Sequence, residues 1–210
     1  MTTLKLDKLS FTYQDQKKSV LSDVNAVFES GTFYAIIGSS GAGKSTLLGL
    51  LAGLDEPTRG TIRLDGQDVA ARGYAYHRRH HVSLVFQNYN LIDYLTPLEN
   101  VRLVDPKATI DSLLHVGLSE QEAGRHVTKL SGGQQQRVAI ARALASKAPV
   151  ILADEPTGNL DSDTAGEMIG ILQRLAHEQG KCVIVVTHSK QLARQADVVL
   201  RLRNRTLVRQ

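Results

Sequence analysis

The chain has 210 residues, 42% of them hydrophobic and 22% charged, with a net charge of +4 and a single cysteine, Cys182. Such a length buries roughly 70% of the unfolded surface on folding, so one α/β domain can stand without staples, and the lone cysteine excludes an internal disulfide. No window nears the ~20 apolar residues of a membrane span, and Met1-Thr2-Thr3-Leu4-Lys5 lacks a signal-peptide layout, so a reducing, cytosolic setting is expected.

Leu4, Leu6 and the run to Phe11 alternate loosely with polar residues, and Val20 to Phe28 is a second apolar stretch ending before Gly31. The two predict an antiparallel pair laid against a main sheet. Tyr13 lies between them; spacing alone leaves open whether it stacks on a purine or fills a half-buried strand position. The run Thr32, Phe33, Tyr34, Ala35, Ile36, Ile37 then reads as a buried strand, and Leu47, Leu48, Leu50 and Leu51 as the one-sided stripe of a helix. Between them stand Gly38, Ser39, Ser40, Gly41, Ala42, Gly43, Lys44, Ser45 and Thr46. In the order strand, glycine loop, helix, this spacing is a phosphate cradle: glycines let successive N–H groups and the helix N-terminus turn toward phosphate oxygens. Lys44 supplies a mobile charge for the β- and γ-phosphates, and the Ser45 hydroxyl is placed to bind Mg²⁺.

Gly53 and Pro57 break the helix, and Gly60 to Gly66 predicts a strand running into an Asp65-Gly66 turn. His77, His80 and His81 fall on one helical face; a metal site is weighed against a polar helix end, and the absence of an accompanying carboxylate or cysteine favours the latter. Val82 to Phe86 predicts a strand ending at Gln87, a residue that near a nucleotide can orient water or bind Mg²⁺. The section from Asn88 to Lys129 is less regular. Thr96, Pro97 and Glu99 predict a helix start, and Ile110, Leu113 and Leu114 one short amphipathic helix. Ser131, Gly132, Gly133 and Gln134 then open a long helix with Val138, Ile140, Ala141 and Leu144 on one face. Serine at the cap followed by glycines leaves N–H groups open at the positive end, a second anion site.

Val150 to Ala153 predicts a central parallel strand with Asp154 and Glu155 at its carboxyl end, the edge where such sheets bind ligands. There Asp154 would hold Mg²⁺, directly or through water, and Glu155 would polarise an attacking water. After a tight loop from Pro156 to Asp161, the residues Ala165, Met168, Ile169, Leu172, Leu175 and Ala176 follow helical spacing to a stop at Gly180. Cys182 to Thr187 is another buried strand, with Cys182 read as a small core residue. His188 follows at the same edge as Glu155, within reach of a γ-phosphate. Val198-Val199-Leu200, a turn near Asn204 and Leu207-Val208 predict a terminal hairpin. The arginines gathered there, Arg201, Arg203, Arg205 and Arg209, carry no interleaved aromatics and read as a solvated terminus rather than a nucleic-acid face.

Over essentially its whole length the sequence resembles the nucleotide-binding subunits of ATP-binding-cassette transporters. The most specific item is Leu130-Ser131-Gly132-Gly133-Gln134, which looks like the signature that sets this family apart from other P-loop ATPases. Tyr13 resembles the adenine-stacking aromatic, Gly38 to Thr46 the P-loop, and Gln87 the Q-loop glutamine. Asp154 and Glu155 resemble the Walker B pair, Asp161 the D-loop aspartate and His188 the switch histidine. Asp154-Glu155-Pro156-Thr157-Gly158-Asn159-Leu160-Asp161 and Leu95-Thr96-Pro97-Leu98-Glu99-Asn100-Val101 are similar to the lipoprotein-releasing, macrolide-exporting and antimicrobial-peptide-resistance branch. The stretch between Asn100 and the signature is shorter than in that branch by about one helix.

The resemblance implies an α/β P-loop core with a parallel central sheet, an N-terminal antiparallel β subdomain and a shortened helical subdomain. It places residues 1–87 and 147–210 in the core and 88–146 in the helical part. It further implies an active ATPase with ATP and Mg²⁺ as cofactors, Mg²⁺ being held by Ser45, Gln87 and Asp154, and with Glu155, His188, Gln87 and Lys44 at the reaction. An ATP-dependent homodimer is expected, each signature reaching the partner's nucleotide, bound to separate integral membrane permease subunits at the inner face of the cell membrane. No nucleic acid is expected. The alternative, a soluble cassette ATPase working on nucleic acid or ribosomes, would carry a long heptad insertion or two tandem cassettes. A P-loop kinase of a small metabolite has no use for Ser131 to Gln134.

Overall fold

The computed structural model describes residues 1–14 and 17–210. Chain order runs β1 (Thr3–Phe11), β2 (Leu21–Glu29), β3 (Phe33–Ile37), α1 (Lys44–Ala52), β4 (Arg59–Leu64), β5 (Gln67–Asp68), α2 (Tyr74–His80) and β6 (Val82–Val85). The helical section is α3 (Pro97–Arg102), α4 (Asp111–Leu114), α5 (Glu120–Ala123), a 3₁₀ turn (Val127–Lys129) and α6 (Gly132–Ala145). It is followed by β7 (Val150–Asp154), α7 (Ser162–His177), β8 (Cys182–Val186), α8 (Lys190–Gln195), β9 (Val198–Arg203) and β10 (Thr206–Arg209).

Two sheets form. One is six-stranded in the order β10-β9-β3-β8-β7-β6, parallel from β9 to β6, with β10 turned back as an antiparallel edge. The central strands β7 and β8 are buried on both faces, as their unbroken Val/Ile/Leu runs require. Alternation sorts their side chains between two cores. Ile151, Ala153, Val183 and Val185 pack under α6 and α7, whereas Val150, Leu152, Cys182, Ile184 and Val186 pack toward α1 and the second sheet. Cys182 is fully buried, and desolvation pushes its thiol up to about 12, so it is an inert core residue.

The second sheet is antiparallel, in the order β2-β1-β4-β5. The pair expected from β1 and β2 is therefore half of a four-stranded sheet: β4 adds along β1 with Leu6 opposite Ile62, and β5 follows through a turn in which both Asp65 (φ 50°) and Gly66 (φ 81°) are left-handed. Leu47, Leu48, Leu50 and Leu51 of α1 are all buried and pack between the two sheets, while Ser45, Thr46 and Gly49 on the opposite side are exposed or half-buried, the one-sided stripe expected.

Between β6 and β7 the chain is helical. The helix start expected at Thr96 to Glu99 is α3 and the short helix expected from Ile110 to Leu114 is α4; α5 and the 3₁₀ turn are additional. Thr96 and Ser119 each close a capping box, with Glu99 and Glu122. The buried leucine of α4, Leu113, anchors that helix to the α6 side of the core. Arg78, Arg79 and His80 are exposed at the end of α2, as a polar helix end requires, but His77 departs from that reading. His77 is fully buried, its Nε2–H donating to the Leu51 carbonyl at the end of α1 (2.9 Å), with Nδ1 3.1 Å from that of His81. Among the described residues, no three His, Cys, Asp or Glu side chains converge in a metal-holding arrangement.

Candidate functional site

β3 ends at Ile37 and α1 begins at Lys44, so the loop between them is fixed at both ends. Gly43 caps α1 with φ 98°, and a Cβ there would stand 2.7 Å from Val20 Cγ1. Both the left-handed backbone and the close approach require glycine. Ser40, Gly41, Gly43, Lys44, Ser45 and Thr46 form one wall of a cavity of about 700 Å³. Tyr13, Val20, Gln87, Asp154, Glu155, Gly158 and His188 form the rest. Gly38, Ser39 and Ala42 lie behind this wall and face a second cavity.

Tyr13 is not the half-buried strand residue that its spacing allows: it lies beyond the end of β1, 41% exposed, edge-on to Phe11 (4.8 Å between ring centroids) and with its hydroxyl 2.9 Å from Thr46 Oγ1. It lines the cavity beside the P-loop. Lys44 is buried, and its ammonium donates to the carbonyls of Gly38 (3.1 Å) and Ser39 (3.3 Å) and to Nε2 of His188 (3.0 Å). Burial pulls its pKa below the ordinary lysine value, while Glu155 and Asp154 pull the other way. His188 Nε2 also lies 3.6 Å from Glu155 Oε1.

Asp154 and Glu155 close β7, and they differ. Burial pushes the Asp154 carboxyl above the usual carboxylate range, against the Ser45 hydroxyl and Lys44, which hold it down. Glu155 has a left-handed backbone (φ 44°), uncommon outside glycine, while its N–H still donates to Val186 on β8. Its Oε2 accepts from Thr187 Oγ1 and from the His188 N–H, both at 3.1 Å. Its Oε1 is buried and has no partner. Thr187, which fixes this geometry, is absent from the residues singled out by sequence; its signal is the hydroxyl directly before His188. Val20 and Gly158, also in the wall, carry no local signal.

The structure keeps the second anion motif away from this pocket. Ser131 caps α6, accepting from Gln134 N (3.3 Å), while Gln134 Oε1 accepts from Ser131 N (2.7 Å) and its amide donates to Glu122 (2.5 Å). Gly132 is exposed, and Gly133 packs so near α7 that a Cβ would stand 3.1 Å from Thr164 Cγ2. Asp161 is the cap of α7, accepting from Asp163 N and Thr164 N, and these bonds hold its carboxyl below the usual range. Ser131, Gly132, Gly133, Gln134 and Asp161 form a surface of their own, outside the wall of the P-loop cavity.

A family profile described as "ABC transporter" matches residues 21–158. The Bacillus subtilis protein named "Uncharacterized ABC transporter ATP-binding protein YclH" is 42% identical, across 96% of this chain and 94% of its own length. The macrolide export ATP-binding/permease protein MacB of Escherichia coli K12 is also 42% identical, over 98% of this chain but only 34% of its own. Among solved structures, the dimeric bacterial ABC transporter cassette MJ0796 matches with TM-score 0.87 and 38% identity, over 97% of this chain and 96% of that one. Its post-hydrolysis state bound to ADP and Pi matches with TM-score 0.88 and 36% identity, over 99% and 97%. With the P-loop, the two carboxylates of β7 and the capped signature helix in place, these likenesses establish that the chain belongs to the ABC transporter family, as an ATP-binding and ATP-hydrolysing cassette.

Proposed function

We propose that the chain binds ATP with Mg²⁺ in the P-loop cavity, closes on it as a homodimer, and through that closure drives separate integral membrane subunits at the inner face of the membrane. The observation that carries this reading is Glu155: an acceptor oxygen left buried and unpartnered at the end of the pocket where Lys44 and His188 meet. In hydrolysis a water oxygen bonds to the γ-phosphorus as the bond from that phosphorus to the β–γ bridging oxygen breaks. The electron pair leaves with ADP, and the water's proton passes to Glu155 Oε1. Phosphoryl transfer asks little more of a protein than positioning and charge, and Lys44, the P-loop N–H groups and His188 supply both. The Tyr13 ring would hold adenine, its hydroxyl tied to Thr46.

The Ser45 hydroxyl, Asp154 carboxylate and Gln87 carboxamide line the same cavity and offer hard oxygen donors only, a set that fits Mg²⁺. When bound, that ion neutralises charge developing on the β- and γ-phosphates. In the dimer, Ser131, Gly132, Gly133 and Gln134 would reach the partner's γ-phosphate, with Asp161 at the junction. Residues 1–87 and 147–210 act as the catalytic core, and 88–146 as the helical part that meets the membrane subunits near Gln87. Likeness to MacB, in which a cassette and a permease share one chain by name, supports export or mechanical work on a peptide, lipoprotein or drug. Among the described residues no helix is long and apolar enough to cross a membrane.

The test is to tag the chain, express it in its native cell, lock it with a non-hydrolysable ATP analogue, and identify what co-purifies from solubilised membranes. Recovery of a polytopic membrane protein in a ratio of two cassettes per complex is expected. Recovery solely with ribosomes or nucleic acid overturns the reading in favour of a soluble cassette ATPase.

A further inference from the structure

Behind the P-loop, at the carboxyl ends of β3, β8 and β9, lies a second cavity of about 790 Å³, as large as the nucleotide pocket itself. Lys18, Lys190, Arg201, Arg203 and Arg205 line it, and no carboxylate does among the described residues. Five cations around one cleft exceed the net charge of the whole chain, +4, so this is not the average surface. None of the five belongs to an ion pair among the described residues. A cleft lined by one sign focuses its field on counter-ions.

The two cavities share a wall. Gly38 and Ser39 line the basic cleft alone, Lys44 and Ser45 the nucleotide pocket alone, and Val20, Gly41 and His188 line both. The P-loop is thus a partition, and the 3.0 Å contact between Lys44 Nζ and His188 Nε2 spans the gap beside it. A γ-phosphate seated between these two groups separates them. Once its bond to ADP is broken, the phosphate lies beside His188, which also lines the cleft that holds the five cations.

We propose that the basic cleft is a phosphate site, and that the inorganic phosphate made on one side of the P-loop leaves through it past His188. The inference rests on the placing of the γ-phosphate at Lys44 and His188. The cleft is far larger than one phosphate and its cations are mostly exposed, so it holds the anion hydrated and weakly. Exposed pairs of this kind each contribute little, which sets a dissociation constant in the millimolar range and suits passage rather than storage.

The experiment compares wild type with the double variant Lys190→Ala/Arg203→Ala, neither residue touching the nucleotide pocket. ADP formation is read by rapid quench and phosphate release by a fluorescent phosphate sensor in a single turnover; inhibition by added inorganic phosphate is read in the steady state. The variant should form ADP at the wild-type rate, release phosphate about tenfold more slowly, and need about tenfold more phosphate for inhibition, a few-fold for each exposed cation removed. Lys190→Arg/Arg203→Lys should behave as wild type. Release coincident with cleavage and unchanged inhibition in the alanine variant overturn the proposal; absence of ADP formation in wild type would instead overturn the reading of the pocket. Sedimentation with phosphatidylglycerol vesicles is the second arm. Loss of vesicle binding with phosphate kinetics intact assigns the cleft to a lipid headgroup and overturns it too. If the alanine variant melts early, Lys190→Gln/Arg203→Gln carries the same comparison.

Discussion

Replacing Glu155 with glutamine keeps the shape of the side chain and reverses the chemistry of one atom. Thr187 Oγ1 and the His188 N–H both donate to Oε2 at 3.1 Å, so that position must remain an oxygen. The carboxamide is thereby forced to put its NH₂ where Oε1 now lies, buried and without a partner, 3.6 Å from His188 Nε2. A water there meets a donor in place of the acceptor it needs. A positioned general base contributes ~10²–10⁴-fold, or roughly 3–5 kcal/mol of barrier. Weakening two hydrogen bonds to a charged group removes about 1–2 kcal/mol of stability, which lowers the melting temperature by about 2–8 °C in a chain of this size. Removing the charge also withdraws one of the two influences that hold up the Lys44 pKa, so that pKa falls further. The assay is phosphate release at saturating ATP, beside nucleotide affinity and a thermal melt on the same preparation. Turnover should fall by ~10²–10⁴-fold with affinity nearly unchanged and the melt lowered by no more than about 8 °C, and the dimer should accumulate in ATP. A folded variant that binds ATP and turns over within about tenfold of wild type would refute Glu155 as the base.

Gly43→Ala should lower the melting temperature and abolish nucleotide binding, since φ 98° and the 2.7 Å approach to Val20 Cγ1 are separate faults; Val20→Ala should relieve only the second, and full rescue by it would sink the backbone argument. Ser131→Ala removes the α6 cap, worth about 1 kcal/mol, and should stop hydrolysis while leaving P-loop affinity intact. Ser131→Asn should restore the melt without the turnover, and recovery of both would reduce Ser131 to a cap. Burial, with His81 and Arg78 adding to it, lowers the His77 pKa below 6.5, so the unfolded chain takes up that proton more readily than the folded one. Its contribution to stability is whole above about pH 6.5 and is lost as pH falls through the lowered value. In His77→Gln, whose amide can still donate to Leu51, melting should depend less on pH from about 6.5 downward; identical slopes in the two proteins would rule His77 out.

The parts of this fold that local chemistry dictates are plain in the sequence, and those set by distant partners are not. A glycine loop between a strand and a helix, or carboxylates ending an apolar run, need particular residue types at fixed spacing, and those side chains do meet in one cavity. The Met168 stripe of α7 likewise follows from periodicity, because that helix has one buried face. The stripe of α1 is legible in the same way, but the second sheet that packs on its leucines is not. That sheet depends on β4 pairing with β1 across more than fifty residues, which no local window contains. Two short helices had readable starts: Ser119 with Glu122 is a capping box before α5, and Ser189 accepts from Leu192 N at the start of α8. Tyr13 stays open because its place is set by Thr46, on another element.

The motifs are separate in sequence and mechanically joined in the fold by α6. Two residues beyond Gln87 the loop enters a left-handed pair, Tyr89 (φ 60°) and Asn90 (φ 48°). The half-buried guanidinium of Arg142 clamps both carbonyls, that of Asn90 at 2.6 Å and that of Tyr89 at 2.9 Å. At the other end of the same helix the Tyr89 hydroxyl lies where a Gly132 Cβ would find it 3.0 Å away, while Gly133 rests on Thr164 and Leu160, in the segment that follows Glu155. A helix of fourteen residues is a rod of about 20 Å. Hydrogen bonds to a charged group contribute ~1.5–3 kcal/mol each, so the two that Arg142 makes tie the loop two to three residues beyond Gln87 to α6. Lysine at position 142 could hold one carbonyl but not fork across two, which is why this joint requires arginine.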